Sequence, residues 1–130
     1  MLDTNICIYT IKRKPEQVVE ILKSTPVSNI GISAITLSEL EYGVAKSSKP
    51  AQNRIALAEF LAPLEILPFD DLAAQQYGTI RAYLESQGTP IGSMDMLIAA
   101  HALALNCILV TNNEREFNRI PSLKIQNWAK

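Results

Sequence analysis

The chain has 130 residues, the size of one ordinary domain with a single substantial core. Hydrophobic residues make up 48% and charged residues 19%, which is typical of a folded globular protein and excludes a disordered chain. Twelve basic and 13 acidic residues give a net charge of −1. This balance argues against broad, sequence-blind coating of nucleic acid, which needs a basic face. We therefore expect one domain spanning residues 1–130.

Membrane and secretion signals are missing from the sequence. No apolar run approaches the roughly 18–20 residues that a transmembrane helix needs, and the first residues lack the basic region and cleavage site of a signal peptide. Cys7 and Cys107 lie far apart in apolar stretches and match no metal-ligand spacing, so we interpret them as reduced core residues. These features predict a cytoplasmic protein that is not associated with a membrane.

Strands alternate with helices along the chain. The first strand ends at Asp3, and because only two residues precede it, we expect further residues upstream of Met1. The later predicted strands are residues 29–34, 64–69, 107–110 and 123–126. The predicted helices are residues 4–12, 15–25, 35–47, 50–62, 71–87 and 94–105, with Pro15 at a first helical position and Gly88 ending the long fifth helix. This alternation predicts an α/β fold, with a central, mostly parallel β-sheet flanked by α-helices.

Four acidic residues lie near the starts of predicted helices and turns. In an open parallel sheet, ligands bind beyond the carboxyl ends of the strands, where each strand is followed by a helix. Asp3, Glu39 and Glu116 come after predicted strands, and Asp95 opens the helix that follows the loop "GTPIGS". We therefore expect their side chains to share one edge of the sheet.

Each of these acids also has an ordinary explanation when it is taken alone. Asp3 can cap the following helix, and Asp95 suits the first turn of a buried helix that Ser93 could cap. Helical periodicity does not choose between Glu39 and its neighbour Glu41. Glu116 lies in a polar segment where a surface position is expected. The functional interpretation therefore depends on the four acids lying together.

A cluster of carboxylates needs a cation or protons. Two carboxylates about 4 Å apart repel by roughly 4 kcal/mol at an effective dielectric constant near 20. Oxygen ligands favour Mg²⁺, with Mn²⁺ as the alternative, and such an ion can activate water against a phosphodiester. A histidine pair is excluded because His101 is the only histidine, and we expect it to be a packing or surface residue. No nucleophile elbow or phosphate-binding loop is present, so metal-dependent hydrolysis is the remaining chemistry.

Four segments of the chain resemble a known family. "MLDTNICIY", "ISAITLSELEYG", "GTPIGSMDMLIAAHALA" and "ILVTNNEREFNRIP" are similar, in this order and over nearly the whole chain, to PIN-domain proteins and specifically to the VapC toxins of bacterial toxin–antitoxin pairs. The resemblance implies a PIN-like fold. It also implies that the metal-site and catalytic acids are Asp3, Glu39, Asp95 and Glu116.

The resemblance assigns supporting polar roles to residues beside these acids, namely Thr4, Asn5, Thr111, Asn112 and Asn113. One departure concerns Asn113, because many PIN domains carry an aspartate soon after the threonine that follows the fourth strand. The fourth acid is therefore assigned to Glu116, three residues further on.

The family also implies an activity and partners. The expected protein is a Mg²⁺-dependent endoribonuclease toxin that inhibits translation by cutting a structured RNA, with tRNA and in particular initiator tRNA favoured. Asp3 and Asp95 are expected to hold the principal ion, while Glu39 and Glu116 orient its water shell or a second ion. The implied partners are a cognate VapB-type antitoxin, whose C-terminal segment fills the active-site groove, and a second copy of the toxin in a homodimer.

Three other functions remain open from the sequence. A receiver-like phosphoacceptor signalling domain is also a small α/β protein with an acidic Mg²⁺ site, but it needs a pair of acids after the first strand. This chain has one acid there, and its adjacent pair, Asp70 and Asp71, is explained by helix capping. A non-catalytic RNA-binding module of the same fold would bind RNA without metal-dependent turnover. A nuclease acting on DNA is distinguished by comparing RNA and DNA substrates.

Overall fold

A computed structural model describes all of residues 1–130. The helices are α1 (Thr4–Lys12), α2 (Glu16–Ser24), α3 (Ala34–Lys46), α4 (Pro50–Leu61), α5 (Asp71–Ser86), α6 (Ser93–Leu105) and α7 (Glu114–Phe117). The strands are β1 (Gly31–Ser33), β2 (Glu65–Leu67), β3 (Leu109–Val110) and β4 (Ile125–Gln126), and a 3₁₀ turn covers Val27–Asn29. None of the helices has both the length and the apolar composition required to span a membrane.

The N-terminal residues join two parallel strand pairs, β1 with β2 and β3 with β4. Leu2 bridges Val110 in parallel orientation, and its backbone N–H donates to the Gly31 carbonyl at 3.0 Å. The Asp3 N–H donates to the Val110 carbonyl at 2.9 Å. The strand order is therefore β2, β1, residues 1–3, β3 and β4, which confirms the predicted α/β fold with a parallel sheet.

Two apolar clusters form the core. One contains Leu84 of α5, Ile98 of α6 and Phe117, all with at most 1% of their surface exposed, and the other contains Ile6 of α1 and Ile32 of β1. Helix α6 is buried along most of its length because three alanines let it approach α5 closely, and its apolar side chains share a core cluster with Leu109 of β3. This packing fixes α6, and therefore Asp95 in its first turn, relative to the sheet.

Several local predictions were wrong. Ser93 does not cap α6, because Gly92 occupies the N-cap position and makes no side-chain hydrogen bond. Pro15 precedes the first helical residue of α2 instead of occupying it. The polar segment after β3 contains the short helix α7, with Phe117 buried at its end. The strands are shorter than predicted, because only two or three residues of each run find a pairing partner.

Two leucines on α5 provide a matched test of the core. We expect Leu84→Ala to lower the free energy of unfolding by about 2–5 kcal/mol, because it leaves a cavity between α5 and α6. Leu72 lies on the same helix with 55% of its surface exposed, so Leu72→Ala should change the free energy of unfolding by no more than about 0.5 kcal/mol. Urea unfolding of both variants measures the difference, and equal losses would contradict this packing.

Candidate active site

Asp3 lies between the sheet and α1. As the N-cap of α1 it accepts a hydrogen bond from the Thr4 N–H at 2.7 Å, and its second carboxylate oxygen accepts one from the Thr111 hydroxyl at 2.7 Å. Only 3% of its surface is exposed. Burial raises the pKa of Asp3, and the two hydrogen bonds oppose this change because they favour the charged form. The residue therefore caps the helix and still presents a carboxylate at the sheet edge.

Glu39 is joined to the same network through Thr4. The Thr4 hydroxyl donates to Glu39 Oε1 at 2.6 Å, so one residue of α1 contacts two of the acids. Glu41 instead pairs with Arg54 of α4 at 2.8 Å on the exposed surface. This contact resolves the ambiguity that periodicity left open, because it separates the side chain of Glu41 from the acids at the sheet edge.

Asp95 is the residue at which the charges of the site converge. It is half-buried in the first turn of α6. Burial, as the largest cause, and the charges of Asp3, Glu39 and Glu116, in that order, together raise its pKa from the ordinary value of 3.8 to about 6. Electrostatic repulsion falls with distance. The structure therefore brings together the four acids that the sequence analysis selected.

Glu116 is positioned by the residue that replaces the expected aspartate. The Asn113 side-chain amide donates to Glu116 Oε2 at 2.8 Å, and the Asn113 backbone N–H donates to the Thr111 hydroxyl at 3.0 Å. Because Thr111 also donates to Asp3, a continuous chain of hydrogen bonds connects Asp3 to Glu116. Asn113 thus links the two acids without adding a fifth negative charge.

The remaining supporting residues are placed differently. Asn112 donates its side-chain amide to the Tyr9 hydroxyl of α1, which joins α1 to the segment after β3. Asn5 is exposed on α1 and stands apart from this network. Tyr9 was missed by the sequence analysis, because its contact joins distant parts of the chain and no local pattern indicates it. His101 is buried, as a packing role predicts, and is hydrogen-bonded to Ser33.

The donor set fits a hard divalent cation. Carboxylate, hydroxyl and amide oxygens are the ligands that Mg²⁺ and Mn²⁺ prefer. No three side chains of His, Cys, Asp or Glu are close enough together to hold a metal ion by themselves. This spacing agrees with the usual binding of Mg²⁺, which takes one or two carboxylates and keeps several waters. The pKa of Asp95 is raised by burial and, in addition, by the charges of Asp3, Glu39 and Glu116, and a cation would offset that negative charge.

A groove of about 270 Å³ begins at Glu39 and runs between α1, α3 and α4. Its wall is mostly apolar, and Lys12 lies at its side. The lining residues are Ile8, Ile11, Lys12, Glu39, Leu40, Gly43, Val44, Asn53, Ala56 and Leu57. The groove therefore offers an apolar binding surface that is continuous with the acidic site.

The raised pKa of Asp95 predicts a pH-dependent stability. Between pH 4 and 6 the folded chain binds the Asp95 proton more tightly than the unfolded chain, so rising pH lowers the free energy of unfolding through this window. The side chain in Asp95→Asn is neutral at every pH. In EDTA, the Tm of this variant minus the Tm of the unmodified chain should therefore increase as the pH rises from 4 to 7. Thermal unfolding across this range measures the effect, and a difference that is constant with pH would contradict the clustering of the acids.

Comparison with known proteins identifies relatives over the full chain. The family model described as "PIN domain" matches residues 1–123 of this chain. Ribonuclease VapC2 of Rickettsia felis is 49% identical over 131 residues, covering 100% of this chain and 98% of the relative. The tRNA(fMet)-specific endonuclease VapC of Salmonella typhimurium is 48% identical, covering 99% of this chain and 97% of the relative.

Solved structures give the same result. VapBC2 from Rickettsia felis, bound to a DNA fragment from its promoter, matches with a TM-score of 0.92 and 48% identity over 98% of this chain and 97% of that one. DNA-bound VapBC from Salmonella typhimurium matches with a TM-score of 0.93 and 48% identity over 98% and 96%. With the fold and the sequence in agreement along its whole length, the chain belongs to the PIN-domain family and, within it, to the VapC ribonucleases.

Proposed function

We propose that this chain is a Mg²⁺-dependent endoribonuclease toxin that cuts initiator tRNA, and that a cognate VapB-type antitoxin restrains it. The observation that carries the proposal is the convergence of three negative charges on Asp95, which together with burial raises its pKa to about 6. A site of this kind attracts a divalent cation, which can offset the charge of a phosphodiester. Ribonuclease activity is the named activity of relatives at 43–49% identity.

Each acid has a distinct proposed role. Asp3 and Asp95 are the residues that would hold the principal Mg²⁺, with Mn²⁺ as a substitute, and Glu39 and Glu116 would orient its waters. When bound, such a cation activates water and offsets the charge of a phosphodiester during in-line attack. The contacts from Thr111 to Asp3 and from Thr4 to both Asp3 and Glu39 hold these carboxylates in fixed rotamers. The hydrogen bonds from Thr111 and Thr4 to Asp3 also favour the ionised form of Asp3 that metal binding requires.

The substrate is inferred from the relatives. VapC of Salmonella typhimurium and VapC of Shigella flexneri, at 48% and 44% identity, are both named tRNA(fMet)-specific endonucleases. The chain has a net charge of −1 and so lacks the overall positive charge that binds nucleic acid without selection. Recognition of one folded RNA by shape, at a local site, is compatible with that charge. Cleavage of a translation component also agrees with the proposed cytoplasmic location.

The proposed partners follow from the solved complexes. Both VapBC structures contain the toxin together with its antitoxin, bound to DNA. The apolar groove that begins at Glu39 supports the binding of an antitoxin segment, because a peptide lying there would cover the approach to the acids. We also propose that two copies of the chain form a homodimer.

Replacing the principal acids should abolish cleavage. We expect Asp3→Asn and Asp95→Asn each to lower the Mg²⁺-dependent cleavage rate by more than about 100-fold, because each removes the charge of a proposed metal ligand. Asp71→Asn is the matched control, since Asp71 is an exposed acid in the first turn of α5. Rates measured with purified chain and labelled tRNA test the prediction. Full activity in either variant, or undiminished activity in excess EDTA, would exclude the proposed metal site.

The substrate proposal has its own test. Incubation with total cellular RNA and Mg²⁺, followed by mapping of new ends, should place the main cut in initiator tRNA. Elongator methionine tRNA and single-stranded DNA of the same sequence serve as controls and should remain intact. Preferential cleavage of another RNA would refute the substrate and leave the nuclease activity standing, whereas RNA binding without cleavage would favour a non-catalytic RNA-binding module.

A further inference from the structure

A buried hydrogen bond joins α6 to the start of α3, away from the acids. His101 of α6 has 1% of its surface exposed, and its Nδ1 lies 2.7 Å from the Ser33 hydroxyl oxygen. Ser33 is the last residue of β1 and the N-cap of α3, and the same oxygen accepts a hydrogen bond from the Ile35 N–H at 3.0 Å. The contact therefore connects the helix that carries Asp95 with the cap of the helix that carries Glu39.

The partners of the Ser33 hydroxyl determine the direction of this hydrogen bond. Ser33 is fully buried, its oxygen accepts from the Ile35 N–H, and His101 Nδ1 is the one remaining partner to which its proton can be donated. Burial lowers the pKa of His101, and the ring is neutral near pH 7. Nδ1 is then unprotonated and accepts the hydrogen bond that the Ser33 hydroxyl donates. Ser33 accepts from α3 and donates to α6 at the same time.

The hydrogen bond between His101 and Ser33, called the joint below, also lies at the ends of two strands. Ser33 pairs in register with Leu67, the last residue of β2, and Pro68 follows it directly. The edge of the Phe69 ring lies against the imidazole, with the ring centroids 5.5 Å apart. The joint lies about 9 Å along each helix axis from Glu39 on α3 and from Asp95 on α6, because each acid is six residues away.

We propose that His101 is a positioning residue for the nuclease site, and that its bond to Ser33 sets the distance between Glu39 on α3 and Asp95 on α6. The proposal rests on the proposed function, since it assumes that these two acids act together on one cation. Helices α3 and α6 also contact each other directly. The bond from Ser33 to His101 is the buried side-chain hydrogen bond that connects α6 with the N-cap of α3. Displacement of a reacting group by about 1 Å can lower a rate by about 100-fold, so a fixed separation matters.

Two substitutions of His101 distinguish the loss of its hydrogen bond to Ser33 from the loss of the imidazole ring itself. In His101→Asn, the amide oxygen lies near the position of Nδ1 and can still accept from Ser33. In His101→Gln, the longer side chain reaches the position of the other ring nitrogen and leaves Ser33 without an acceptor. Ser33→Ala removes the joint from the other side. Ser38→Ala is the control on α3, because its exposed hydroxyl bonds only to the Ala34 carbonyl of the same helix.

The expected result is a selective loss in the variants without the joint. His101→Gln and Ser33→Ala should lower kcat for RNA by about 10- to 100-fold and weaken Mn²⁺ binding, measured by calorimetry, with KM for RNA changed less than about twofold. His101→Asn and Ser38→Ala should stay within about threefold of the unmodified chain. The proposal would be overturned if kcat fell equally in His101→Asn and His101→Gln and if the decrease in each variant were explained by its lower Tm alone.

A spectroscopic measurement tests the joint independently of activity. His101 is the only histidine, so its ring nitrogens give a single pair of ¹⁵N signals. At pH 7 these should show the neutral form with the proton on Nε2, and Ser33→Ala should shift the Nδ1 signal. A proton on Nδ1, or a signal unchanged in Ser33→Ala, would overturn the assigned direction of the hydrogen bond and the proposal with it.

Failure of the proposed function remains distinguishable from failure of this inference. If the unmodified chain cuts RNA and His101→Gln cuts it equally fast, the positioning role is refuted and the nuclease stands. If the unmodified chain neither cuts RNA nor binds Mn²⁺, both proposals are refuted. Should His101→Gln fail to fold, Ser33→Ala tests the same joint with the imidazole in place.

Discussion

Repulsion among four carboxylates at one edge of a parallel sheet is the constraint on which this structure depends. Bringing Asp3, Glu39 and Glu116 close to a half-buried Asp95 costs free energy, and the pKa of Asp95 is raised by its burial first and by these charges in addition. Hydroxyl and amide donors offset part of it, since Thr111, Thr4 and Asn113 each hold one of the carboxylates. A site with this much negative charge is preorganised for a cation and gains stability when one binds.

The position of the N-terminal segment makes the cluster possible. Residues 1–3 lie between β1 and β3, so Asp3 lies at the end of the central segment of the sheet, which has a strand paired on each side. The buried helix α6 brings Asp95 to the same edge, and its alanines permit the close packing that keeps it there. The acids therefore stand on elements that the core holds rigidly, as precise catalytic geometry requires. The groove beside Glu39 remains open, which leaves the site accessible to an RNA or a peptide.

Much of the site could be predicted because strand ends and acids are both visible in the sequence. The helices around Asp3, Glu39 and Asp95 were predicted within one or two residues of their observed ends. Short pairings and caps were predicted less well. Gly92 occupies the N-cap position of α6 in place of Ser93, and the polar segment around Glu116 contains the short helix α7. Such details depend on which polar groups find a partner in the folded chain, and a sequence pattern does not contain that information.

The sequence by itself determined the order of strands and helices, the parallel α/β class and the four candidate acids, because period and turn chemistry are local properties. Only the tertiary structure decided that Glu41 pairs with Arg54 while Glu39 joins Thr4, because both glutamates satisfy the same helical pattern. It also decided that His101 lies buried against Ser33, a contact between residues 68 positions apart. Contacts of this kind arise from packing between distant segments, so no local pattern could reveal them.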